Sequence, residues 1–247
     1  MDRAIYIAMT GAKNNMMAQT ARANNLANAN TTGFRADFEQ ARSQGVYYGD
    51  GLPTRAYSQT ERPATDFALG NLQQTGRQLD LAIEAEGFFV VQAPDGSEAL
   101  TRAGNLKIDA NGVLHTGSGL PLMGNAGVIT LPPLEQIEIG KDGTISVQLL
   151  GQGPEVMANV DRLRLVNPDA ANLEKGRDGL FRLREGGEFI DDPTVTLASG
   201  VLESSNVNVI DEFTNILALA RQYETQIKMM STIEENADAS TRLLQLS

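Results

Sequence analysis

The chain has 247 residues, a net charge of −11, 41% hydrophobic and 21% charged residues, and no cysteine. That length suits one large domain or a compact domain with helical extensions, and the composition is not that of a disordered chain. Lack of cysteine excludes disulfide and thiolate chemistry, the single His115 removes most histidine metal sites and dyads, and the acidic balance argues against nucleic acid.

The opening Met-Asp-Arg-Ala-Ile-Tyr-Ile-Ala-Met has no basic leader followed by a continuous apolar stretch and a cleavage site. No Sec-type signal peptide is expected from it. Apolar runs are only a few residues long, so no direct membrane insertion is expected either.

From Asp2 to about Asn30 there is no proline, and Gly11 is the only glycine. Ile5, Met9, Ala12, Met16, Gln19, Ala23 and Leu26 recur at alternating four- and three-residue steps, which predicts a helix with a heptad-like stripe. Asn30, Thr31, Thr32 and Gly33 supply a helix stop and a turn. Residues 31–74 are polar and weakly periodic, with Gly49, Asp50, Gly51, Pro53 and Pro63, and read as an extended connector.

From Leu79 the pattern changes to short β-rich runs: LDLAI, FFVV, VITL, IEI, TISV and LRLV. Asp95-Gly96, Asn111-Gly112, Asp142-Gly143 and Asp178-Gly179 lie between such runs and suit the positive φ that tight hairpins require. Residues 75–205 are therefore expected to form an antiparallel β domain rather than βαβ units.

From about Asn206 to Ser247 glycine and proline disappear. Asn208 or Asp211 can cap a second helix, on which Phe213, Ile216, Ala220, Tyr223, Ile227 and Met230 follow the same spacing. With a one-residue register shift the stripe continues through Ile233, Ala237 and Ser240 to Leu244. The expected fold is α+β. Long terminal helices, 1–30 and 206–247, pair in a coiled-coil-like layer and flank a mostly antiparallel β domain.

A helix approaching 40 residues is long for a globular protein, and an isolated one with so thin a stripe is marginal in water. The first helix is about ten residues shorter, so a hairpin of the two leaves apolar positions uncovered. Periodicity alone leaves two readings open: an intramolecular coiled-coil stalk, or helices that also pack between subunits.

The segment after the first helix narrows that choice. Asn25-Leu26-Ala27-Asn28, a Thr-containing turn, then Gly33-Phe34-Arg35 resembles the motif of bacterial flagellar rod and hook proteins. Further matches to that family follow in order: Thr75 to Ile83 with Gly87-Phe88-Phe89-Val90-Val91, Leu100 to Leu106, Ser199 to Val207, and Arg221-x-Tyr223-Glu224. Gln78 and Leu100 depart from the family's usual proline and aromatic, and both departures suit a strand edge. The opening Met-Asp-Arg-Ala-Ile-Tyr and the length resemble the proximal-rod branch more than the distal-rod or hook branches.

The resemblance implies a structural subunit of the basal-body rod, a torque-transmitting tube across the periplasm. It implies export by the flagellar export apparatus without cleavage, assembly with copies of itself and with other rod proteins, and no catalysis. The subunit-interface residues it implies are Ile5, Met9, Ala12, Met16, Ala23, Leu26, Phe213, Ile216, Ala220, Tyr223, Ile227, Met230 and Leu244, with the β domain outside. Asn24, Asn25, Asn28 and Asn30 either end the helix, bridge neighbouring helices or face the solvent of an exit channel.

Other motifs read as structure. His115 sits in a short strand beside a turn, and Asp191-Asp192 precedes Pro193 in a loop. Asp109-Ala-Asn111-Gly112 opens like a calcium loop but has Leu120 where the twelfth-position Glu belongs. Gly140-Lys-Asp-Gly143 and Gly117-x-Gly119 lack the spacing of phosphate-binding loops. No metal or cofactor is expected. A ligand-binding module or enzyme would need convergent polar groups that the sequence does not display.

Overall fold

The computed structural model describes residues 2–47, 55–151 and 157–245. Gly49, Asp50, Gly51 and Pro53 lie outside the described residues, and so does the side chain of Leu244. The chain divides into two compact units. The first comprises Met1–Ala29, Ala36–Asp66 and Val207–Ser247, and the second comprises Asn30–Arg35 and Phe67–Asn206.

In the first unit, α1 (Asp2–Ala27), β1 (Asp37–Val46), β2 (Arg55–Thr65) and a long α2 (Val209–Gln245) pack together. Asn208 caps α2, its side-chain oxygen accepting the Ile210 N–H at 3.1 Å and its carbonyl the Glu212 N–H at 3.0 Å. The helices run antiparallel: Asn25 meets Glu212 and Gly11 lies against Gln226. Because α2 has 37 residues against 26, its last turns extend beyond the start of α1.

The stretch read as an extended connector is extended but paired. β1 and β2 form a hairpin from Asp37↔Thr65 to Val46↔Arg55, with a bulge between Phe38 and Gln40. Neither strand carries a clear apolar alternation. Asn14 of α1 donates to the Ser58 carbonyl and Asn25 grips Asp37, so polar side chains fasten the hairpin where an apolar face does not.

The second unit is built from short strands. Its first half carries β3 (Leu72–Gln74), β4 (Leu81–Ile83), β5 (Phe88–Gln92), β6 (Glu98–Thr101), β7 (Leu106–Ile108), β8 (Leu114–Thr116), β9 (Met123–Gly124) and β10 (Gly127–Val128). β11 (Leu134–Ile139), β12 (Thr144–Leu149), β13 (Ala158–Arg162), β14 (Leu165–Val166), β15 (Leu173–Lys175), β16 (Phe181–Leu183), β17 (Leu197–Ser199) and β18 (Val201–Glu203) follow. A five-stranded antiparallel sheet in the order β14-β5-β6-β16-β15 is the largest; β11-β12-β13 form a second. β17 pairs with β4 and β18 with β3, tying the end of the unit to its beginning.

β5 explains the unbroken FFVV run. Phe89 and Val91 enter the main core with Leu81, Leu106, Leu114, Leu122 and Ile145, whereas Phe88 and Val90 enter a smaller one with Leu100 and Phe181. A strand buried on both faces has no polar side to alternate with. Leu100 is fully buried in β6, which lies between β5 and β16, so it does not mark a strand edge. It fills a core beside Phe67, Phe88 and Phe181, whose rings stand 5.3–6.4 Å apart.

The four turn pairs occur where the sequence places them, between β5 and β6, β7 and β8, β11 and β12, and β15 and β16. Gly96, Gly112, Gly143 and Gly179 have φ of 83°, 81°, 85° and 80°. In each turn an Asp carboxylate accepts the backbone N–H two residues on, from Ser97, Asn111, Thr144 and Leu180.

Candidate assembly surface and chain-crossing cluster

On α1, Ala8 and Ala12 are buried and Gly11, Ala18 and Gln19 half-buried. A Cβ on Gly11 would stand 3.0 Å from Gln226 Nε2, so the helices approach closely there. Close approach over small side chains leaves the larger apolar ones on the outward arcs. Met9 is 51% and Met16 61% exposed on α1; Phe213 is 53% and Ile227 42% exposed on α2.

The thirteen sequence-implied interface residues therefore divide. Ala12 is buried, and Ile5, Leu26, Ile216, Ala220 and Met230 are half-buried. Met9, Met16, Ala23, Phe213, Tyr223 and Ile227 face outward. Tyr6, Met17, Ile210, Leu217 and Met229, which the stripe omits, are exposed as well. A monomer seldom leaves so many large apolar side chains uncovered on two adjoining helices.

The turn motif is also resolved residue by residue. Asn25 is fully buried; its Nδ2 donates to the Asp37 carbonyl and to Glu212 Oε1, and its Oδ1 accepts the Asp37 N–H, each at 3.0 Å. Glu212 is held further by Arg22 at 3.1 Å. Asn25 thus joins α1, β1 and α2 within one chain. Leu26 is half-buried and Ala27, the last residue of α1, is exposed, while Asn28 closes the helix through the Asn24 carbonyl. Asn24 and Asn30 are exposed.

Gly33, Phe34 and Arg35 belong to the second unit. Gly33 has φ 67°, and a Cβ there would come within 2.4 Å of the Arg102 carbonyl carbon, so only glycine fits. Lys175 Nζ sits 3.9 Å above the Phe34 ring and donates to the Arg35 carbonyl at 2.6 Å. Arg35 Nη2 donates to Glu203 Oε1 at 2.6 Å, and Arg102 Nε to Glu203 Oε2 at 2.6 Å. All three of these side chains are nearly inaccessible. Arg102 also donates to the carbonyls of Ile83, Ala85 and Gly87. Burial pushes its guanidinium below the usual value, and Glu203 pulls it back up.

Nothing in the sequence singles out Glu203, Arg102, Lys175, Glu212 or Asn14 for these roles. The other singled-out residues are structural in place. His115 lies in β8 opposite Lys107; Asp191 pairs with Arg164 at 3.0 Å; Asp192 accepts the Thr194 N–H at 2.9 Å. Among the described residues no three His, Cys, Asp or Glu side chains gather as a metal site, and no helix is long and apolar enough to cross a membrane.

Paired terminal helices with uncovered apolar arcs, and a β unit laced by buried ion pairs, are features of a structural protein. Three family models match in the same order as these parts. One described as flagella basal body rod protein covers residues 5–35, a flagellar hook protein FlgE/F/G D1 domain covers 82–147, and a flagellar basal body rod FlgEFG protein C-terminal region covers 198–243. The chain is 40% identical over 253 residues to the flagellar basal-body rod protein FlgF of Salmonella typhimurium, covering all of both chains. It is 34% identical to FlgF of Caulobacter vibrioides, over 98% of each chain, and 32% identical to FlgG of Bacillus subtilis, over 95% of this chain and 96% of that one. The chain belongs to the flagellar basal-body rod protein family.

Proposed function

We propose that this chain is a wall subunit of the proximal rod, joined to copies of itself and to other rod proteins through the outward arcs of α1 and α2. Its role as a structural subunit of the bacterial flagellar basal-body rod follows from its family. The observation that carries the finer reading is the set of uncovered apolar residues, Met9, Met16, Phe213 and Ile227 among them, on helices already paired with each other. Burying such side chains against neighbouring helices stabilises each by roughly 1.5–3 kcal/mol when complete. Torque then passes by packing, with no catalytic step. The chain reaches its place across the periplasm through the flagellar export apparatus, without loss of its N-terminus.

Higher identity to the FlgF relative than to the FlgG relative supports the proximal position, in line with the opening Met-Asp-Arg-Ala-Ile-Tyr. The FlgG match favours a second reading, a distal-rod position. Electron microscopy of basal bodies from a strain lacking this chain separates the two. Loss at the proximal rod supports the proposal, and a complete proximal rod with loss further out supports the distal reading. Complementation by a chain lacking residues 1–30 or 208–247 is expected to fail; normal incorporation of either would sink the assembly role of the helices.

A further inference from the structure

Chain passes between the two units at four places, and three of the adjoining stretches of the second unit are 30–35, the residues from Phe67, and those ending at Asn206. All three are fastened at one residue. Glu203 accepts the Gly33 N–H on its carbonyl at 2.9 Å and the Gly70 N–H on Oε1 at 2.9 Å. Its carboxylate takes Arg35 on one oxygen and Arg102 on the other. Around it, the Asn206 N–H reaches the Phe34 carbonyl at 3.3 Å and the Ser204 N–H the Asn71 carbonyl at 2.9 Å.

The electrostatics make this arrangement conditional. Arg35 and Arg102 are buried together, and Arg35 itself disfavours the charged form of Arg102. Nε and Nη1 of Arg35 have no hydrogen-bond partner among the described residues, and its Nη2 rests on the Glu203 carboxylate that Arg102 shares. Removing one member of a buried ionic set leaves the others uncompensated, which is far more disruptive than losing a surface pair. Glu203 lies 168 residues after Arg35 and 101 after Arg102.

We propose that Glu203 is a positioning residue that latches the three stretches adjoining the chain crossings, so that 30–35 and 67–71 take their seats only together with 203–206. A chain that emerges N-terminus first stays open at its first crossing until Glu203 has followed. That consequence rests on the export reading above; the latch does not.

The test uses the full chain carrying Glu203→Gln, alone and combined with Arg35→Met, read by amide hydrogen exchange. Glu203→Gln is expected to speed exchange at Gly33, Gly70 and Asn206 by about tenfold or more, with Ile145 and Val147 in β12 far less affected. Adding Arg35→Met is expected to recover part of the lost protection, because it removes one of the two guanidiniums left without their carboxylate. In refolding of the unaltered chain, pulse labelling is expected to protect Gly33, Gly70 and Asn206 in a single phase. Exchange at the three amides within about twofold of the unaltered chain would overturn the proposal. General unfolding of the Glu203→Gln chain that Arg35→Met does not relieve, or protection of Gly33 in an earlier phase than Asn206, would overturn it too. None of these readouts depends on whether rods form.

Discussion

Asn25 offers the sharpest energetic test of the first unit. Its fully buried amide makes three hydrogen bonds at 3.0 Å, two with the Asp37 backbone and one with Glu212 Oε1. Asn25→Ala removes all three. At about 1 kcal/mol net per bond, and with part of Asp37 open to water, the expected loss is about 3 kcal/mol. Glu212 keeps Arg22 in that variant, which limits the damage. Asn25→Asp keeps the shape but deletes both N–H donations and points a carboxylate at the Asp37 carbonyl and the Glu212 carboxylate. That variant is expected to be about 1–3 kcal/mol less stable again at neutral pH, since a buried unpaired charge costs more than a small cavity. Urea unfolding of the full chain, followed by the helical far-ultraviolet circular dichroism signal, measures both. An Asn25→Asp chain as stable as Asn25→Ala would refute the assignment of the amide as a donor, and a loss below about 1 kcal/mol in Asn25→Ala would refute the bridge itself.

Three further outcomes follow from the same geometry. Gly33→Ala is expected to cost more than about 3 kcal/mol, because a positive φ of 67° and a 2.4 Å clash with Arg102 backbone combine, whereas Gly11→Ala changes stability by no more than about 1 kcal/mol as Gln226 shifts aside; thermal unfolding of the two variants checks the contrast. Met16→Glu with Ile227→Glu is expected to leave the stability of the free chain within about 0.5 kcal/mol and to abolish rod assembly, checked by circular dichroism and by electron microscopy of basal bodies. The turn carboxylates Asp95, Asp109, Asp142, Asp178 and Asp192 are held below their ordinary value of 3.8, for Asp142 chiefly by the Thr144 hydroxyl and N–H. Depressed folded values mean their contribution is complete above about pH 5 and fades as pH falls below about 4. A melting temperature flat above pH 5 and falling below 4, with a shallower fall in Asp142→Ala, is expected; no acid decline would contradict it.

What the sequence revealed was local. The two helices show as long stretches with heptad-like spacing and without proline, and the hairpin turns show because Asp-Gly and Asn-Gly pairs meet a steric demand at one position. Less local features stayed hidden. β1 and β2 show little apolar alternation, and asparagines of α1 bond to their backbones. α1 comes close to α2 at Gly11, and small residues carry little periodic signal, so a heptad reading gives Met9 and Ala12 the same weight although only Ala12 is buried. Glu203 lies within the family-like stretch Ser199 to Val207, yet nothing in its neighbourhood announces partners 101 and 168 residues away. Buried ion pairs between distant segments leave no spacing to read.

The central claim is that the outward arcs of α1 and α2 are interfaces between subunits. A density map of the intact basal body with this chain located in it tests that most directly. The account predicts Met9, Met16, Phe213 and Ile227 packed against helices of neighbouring subunits in the wall of the proximal rod, with residues 75–205 away from that wall contact. A map in which those four side chains face solvent while the β strands form the subunit contacts would contradict it.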